Sequence, residues 1–60
     1  MPDPLERTRH YRDRAAECRQ LADTSMNPEL KTHYGVLARR YDSLAEFEEL
    51  LVERQARAER

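Results

Sequence analysis

Twice in sixty residues the chain sets an acid or its amide directly before a proline, with a glutamate close behind: Asp3-Pro4-Leu5-Glu6 and Asn27-Pro28-Glu29-Leu30. Asp and Asn accept hydrogen bonds from the free N–H groups of a first helical turn, and proline fits the first helical position because no intrahelical bond is lost there. Each tetrapeptide therefore predicts a helix start. Glu6, three residues after Asp3, can answer the orphan donors as in a capping box, and Glu29 puts a carboxylate in a positively polarised first turn. Pro28 disfavours the helical conformation at Asn27, so the first helix has to end within Asp23-Thr24-Ser25-Met26, a cluster of poor helix formers. Beyond Pro28 the only interruption is Gly35, which costs about 1 kcal/mol relative to Ala without ending a helix. No segment alternates apolar and polar residues as a strand would, and the chain contains no Ile. The expected fold is all-α: a single domain over residues 1–60, an antiparallel helical hairpin with helices over about 4–24 and about 28–58.

Apolar spacing predicts the facing surfaces. Leu30, Tyr34, Leu37, Tyr41 and Leu44 recur as a heptad seam, flanked by Ala38, Ala45 and Val52, while the first helix offers Tyr11, Ala15, Cys18 and Ala22 flanked by Leu21. Small residues are thus expected to face large ones, which permits close helix approach. Gly35 falls off this seam, with no role beyond close contact with a neighbouring chain.

A chain this short buries only about 60% of its unfolded surface, so its core needs a supplement. Cys18 is the only cysteine, which excludes an internal disulfide, and the soft ligands of a structural zinc site are missing. Oligomerisation is the supplement that remains. Helix lengths point the same way: folding back from the turn sets residue 4 opposite about residue 48 and leaves 49–60 as overhang. Phe47, Leu50, Leu51 and Val52 would then lie uncovered, and uncovered apolar clusters mark interaction sites. Two hairpins are expected to form a four-helix bundle, a C2 dimer being favoured, with Tyr41, Leu44, Phe47, Leu50, Leu51 and Ala58 at the interface. Glu48 and Gln55 interrupt the strict seam and leave trimers and tetramers open.

The charged residues, 38% of the chain with a net charge of −1, give no overall attraction to a polyanion. Arg7, Arg9, Arg12 and Arg14, with Arg19, His10 and Tyr11, make the best nucleic-acid candidate. Over residues 3–23, however, five arginines are matched by five carboxylates, a poor phosphate footprint. Asp42, Glu46, Glu48, Glu49 and Glu53 form a complementary acidic run whose obvious partners are the arginines across the hairpin, Arg7 and Arg9 first. Glu6 and His10, like Glu29 and His33, are four residues apart, whereas carboxylate-histidine sites in bundles use a three-residue spacing aimed into the core; no metal is expected. Cys18 on a buried stripe acts as a small hydrophobe, no glycine-rich phosphate loop exists, and Ser25 and Ser43 have no histidine in triad relation. Neither catalysis, nor a cofactor, nor a small-molecule substrate is expected.

The longest apolar run, Leu50-Leu51-Val52, is far short of a bilayer span, the glutamates near it oppose a membrane-surface role, and Met1-Pro2-Asp3-Pro4 does not read as a signal peptide. A cytoplasmic location is expected. With these residues in view, Tyr11-Arg12-x-Arg14-Ala15-x-Glu17-Cys18-Arg19-x-Leu21-Ala22 and Pro28-Glu29-x-Lys31-x-x-Tyr34-x-x-Leu37-Ala38-x-x-Tyr41-x-x-Leu44-Ala45 together cover about two thirds of the chain. They resemble a group of small, uncharacterised α-helical proteins frequent in alphaproteobacteria, notably rhizobia. The resemblance implies a cytoplasmic bacterial helical protein and carries no assigned activity or functional residue. The sequence thus leads to a non-enzymatic hairpin that self-associates and serves as a protein-protein interaction or scaffold module, with an unidentified protein partner left open. The alternative is a small dimeric nucleic-acid-binding regulator using Arg7, Arg9, Arg12 and Arg14.

Overall fold

The computed structural model describes residues 3–58 and consists of two helices, α1 (Pro4–Thr24) and α2 (Pro28–Ala58). Both start where the Asx-Pro pairs place them. The Asp3 carboxylate accepts from the Leu5 N–H at 3.1 Å, and the Asn27 side-chain oxygen accepts from the N–H groups of Glu29 (2.9 Å) and Leu30 (3.4 Å). α1 closes through its last turn: the Ser25 N–H donates to the Leu21 carbonyl at 3.0 Å, and the Thr24 hydroxyl donates to the Gln20 carbonyl at 2.9 Å. Only Ser25, Met26 and Asn27 separate the helices, so the chain reverses and α2 runs back along α1. The result is a rod with principal extents of 51 × 16 × 14 Å.

The seam between the helices departs from the expected one. In α1, Thr8, Ala15 and Cys18 are buried and Tyr11 and Ala22 half-buried, a heptad-like row that continues the predicted stripe one step further back to Thr8. In α2 the buried centre is Ala38 and Ala45, not the Leu/Tyr row. Tyr34, Leu37 and Tyr41 are half-buried beside it, while Leu30 and Leu44 are exposed. Small residues therefore face small residues, and the helix axes approach closely because no large side chain stands between them. Gly35 is half-buried and shares a shallow hollow with Arg19, Ala22, Asp23 and Ala38, where a Cβ would meet no atom within 4 Å, in keeping with its place off the seam.

The two helices overlap slightly further along α2 than expected. Arg7 pairs with Glu48 and Arg12 with Glu49, so α1 lies alongside α2 through these glutamates, and Val52 is half-buried. The uncovered arm begins past about residue 52 rather than at 49. Phe47 and Leu50 are 59% and 56% exposed because they point away from α1, not because α1 ends before them. Residues 59 and 60 of the expected overhang lie outside the described residues.

Candidate functional site: a two-sided hairpin

Each long side of the hairpin has its own chemistry, and helix periodicity explains the division. On α2, Asp42 and Glu49 follow Ala38 and Ala45 by four residues and fall on one flank of the alanine row. On α1, Arg12 and Arg19 hold the equivalent flank of the Ala15–Ala22 row. The two flanks meet: Arg12 bonds Glu49 at 2.9 Å and lies 3.6 Å from Asp42, which also pairs with Arg19. Asp42 is the hub of this side, its side chain only 23% exposed and engaged by two guanidinium groups.

The opposite flank is apolar. Leu30, Leu37, Leu44 and Leu51 are each seven residues apart, so they form a single row that drifts by only about 20° per step and lies about 100° round the helix from Ala38 and Ala45. Leu21 occupies the same flank of α1, one position before Ala22. Tyr11 and Tyr41 close the groove between the helices, their rings stacked with centroids 6.4 Å apart and planes inclined by 27°. The far end of this side is clamped by Arg7, whose Nε stands 3.3 Å from one Glu48 oxygen and whose Nη2 donates to the other at 3.4 Å.

Along this side Leu21, Leu30, Leu44 and Leu51 are between 38% and 47% exposed, and among the described residues no large side chain is fully buried. A hairpin that closes on alanine leaves its leucines half in water. Of the expected interface residues, Leu44 and Leu51 lie in this row, and Phe47 and Leu50 on the outer face of α2. Ala58 is exposed at the end of that helix, and Tyr41 is half-buried against Tyr11. Leu21 and Leu30, which the sequence reading had assigned to the internal core, are exposed on the same side as Leu44 and Leu51. The seven-residue series of Leu30 with Leu37 and Leu44, and the position of Leu21 one residue before Ala22, were the available signals.

The candidate nucleic-acid residues are dispersed. Arg7 and Arg12 are held by Glu48, Glu49 and Asp42, and Arg14 pairs with Glu17 of its own helix at 3.4 Å. Arg9 is exposed and pairs with no carboxylate among the described residues, so the expected pairing of Arg9 with the acidic run is not formed. His10 and His33 stand against the adjacent Tyr11 and Tyr34 rings, with centroids 6.3 and 5.7 Å apart. Among the described residues no three His, Cys, Asp or Glu side chains gather as a metal site would require. Cys18 is free and buried in the seam. No helix among the described residues is long and apolar enough to cross a membrane. Compared with protein-family models, curated proteins and solved structures, the chain matches none.

Proposed function

We propose that this protein is a self-associating helical hairpin whose dimer serves as an interaction or scaffold module without catalytic activity. The observation that carries this reading is the half-exposed leucine side over an all-small seam. The hairpin exposes 5232 Å², whereas a folded monomer of 7.2 kDa typically exposes about 4,100 Å². The excess, roughly 1,100 Å², is comparable with the about 800 Å² that each partner buries in a standard interface. Its radius of gyration, 14.4 Å, likewise exceeds the about 10 Å of a compact 60-residue domain. A second hairpin laid on the leucine side removes this excess and completes a four-helix bundle with a core of Leu and Tyr.

The test is thermal unfolding of the whole chain and of Leu51→Asp over a range of concentrations. Association predicts a melting temperature that rises with chain concentration, and a Leu51→Asp variant that melts lower and loses this dependence. A concentration-independent transition, unchanged by Leu51→Asp, would refute the reading.

A further inference from the structure

The leucine row is symmetric about a point between Leu37 and Leu44, but the charge along α2 is not. Residues 28–41 carry Lys31, Arg39 and Arg40 against Glu29, whereas residues 42–53 carry five carboxylates and no cation; Asp42, Glu48 and Glu49 are paired with arginines of α1, which leaves Glu46 and Glu53 to give this half its negative charge. Two copies of such a helix can meet in two ways. A parallel pair sets each residue beside its own copy, so that Arg54, which borders the row, faces a like charge; Arg40 lies next to the midpoint of the row and meets its own copy in either arrangement, and Glu48 is held by Arg7. Like charges held within a Debye length, about 8 Å at physiological salt, repel. An antiparallel pair sets the basic half of each helix along the acidic half of the other and brings His33 of one copy to the Glu48 end of its neighbour. The leucines stay in register: Leu30 meets Leu51 of the second copy, and Leu37 meets its Leu44.

We infer that the leucine side of α2 is covered by α2 of a second copy running antiparallel, with the two-fold axis between Leu37 and Leu44. This rests on the self-association proposed above and adds the surface, the direction and the register. With the two α2 helices side by side, each α1 lies on the same side of the pair, and the Tyr11–Tyr41 grooves of both copies turn toward the shared interior. The ion-paired side of Arg12, Arg19, Asp42 and Glu49 remains outside.

Spin labels test the arrangement in the full chain. Cysteines are introduced singly at His33, Ser43 and Arg57, all exposed, in a Cys18→Ala background that removes the native thiol. At 1.5 Å rise per residue, the axial separation between equivalent labels is about 22 Å at His33, about 8 Å at Ser43 and about 50 Å at Arg57. The expected result is strong dipolar broadening at Ser43, an intermediate distance at His33 and the longest at Arg57. Short separations at all three positions would show parallel helices, and a long one at Ser43 would move α2 away from the axis; either overturns the inference while self-association stands. Spectra unchanged by dilution with unlabelled chain, together with the mass of one chain, would overturn both.

Discussion

Gly35→Ala separates the two sides of the hairpin energetically. Gly35 is half-buried in α2 on the flank shared with Asp42, and a Cβ built there meets no atom within 4 Å. Neither a clash nor new packing offsets the change, so the helix-propensity difference of about 1 kcal/mol in favour of Ala is the whole expected effect. Part of it acts through the unfolded state, because glycine has more backbone freedom to lose on folding. For a cooperative unit of this size 1 kcal/mol raises Tm by about 4–8 °C, read from helical ellipticity on heating at fixed chain concentration. If the second copy lies on the leucine side, this flank stays open and the gain appears in full. An unchanged or lowered Tm would mean that the added methyl meets another chain, and would refute the placement of the interface on the opposite side.

Three further outcomes follow from the same geometry. Ala45→Leu forces a large side chain into a fully buried position of the small-residue seam, and should destabilise the hairpin by about 1–3 kcal/mol in urea unfolding; an effect below about 0.5 kcal/mol would show that the helices do not approach closely there. Asp42→Asn removes the charge that engages both Arg12 and Arg19, and should cost about 1 kcal/mol at low salt and markedly less in concentrated NaCl; a loss independent of salt would contradict an electrostatic role. Titration of duplex and single-stranded DNA at low salt should give no saturable binding, because Arg7 and Arg12 are already matched by carboxylates; binding that weakens steeply with salt would reverse that reading.

The helix limits were legible because caps and prolines act locally. Asp3-Pro4 and Asn27-Pro28 specify their own turns whatever lies across from them, and both helices span the residues read from the sequence. The core was not, because size was taken as a guide to burial. Leu30 and Leu44 have the hydrophobicity of core residues, yet the close approach set by Ala15, Cys18, Ala38 and Ala45 leaves no room for them between the axes. The ion pairs were legible in part. Antiparallel folding predicted that the arginines meet the acidic run, and Glu48, Glu49 and Asp42 of that run are the partners of Arg7, Arg12 and Arg19, whereas Arg9, one position past the buried Thr8, is turned out of the seam and is unmatched among the described residues. Register depends on how three turn residues and two rows of small side chains settle together, which composition and periodicity alone do not fix. Phe47 and Leu50 are exposed as expected, but their exposure comes from the face they occupy rather than from the end of α1.

The central claim is that the leucine side is covered by a second copy, and solution mass tests it most directly. Light scattering across a dilution series should give about 14 kDa, twice the 7.2 kDa of one chain, at tens of micromolar, falling toward the single-chain mass on dilution. A mass of one chain throughout that range would contradict the account and leave Leu21, Leu30, Leu44 and Leu51 half-exposed in a stable monomer.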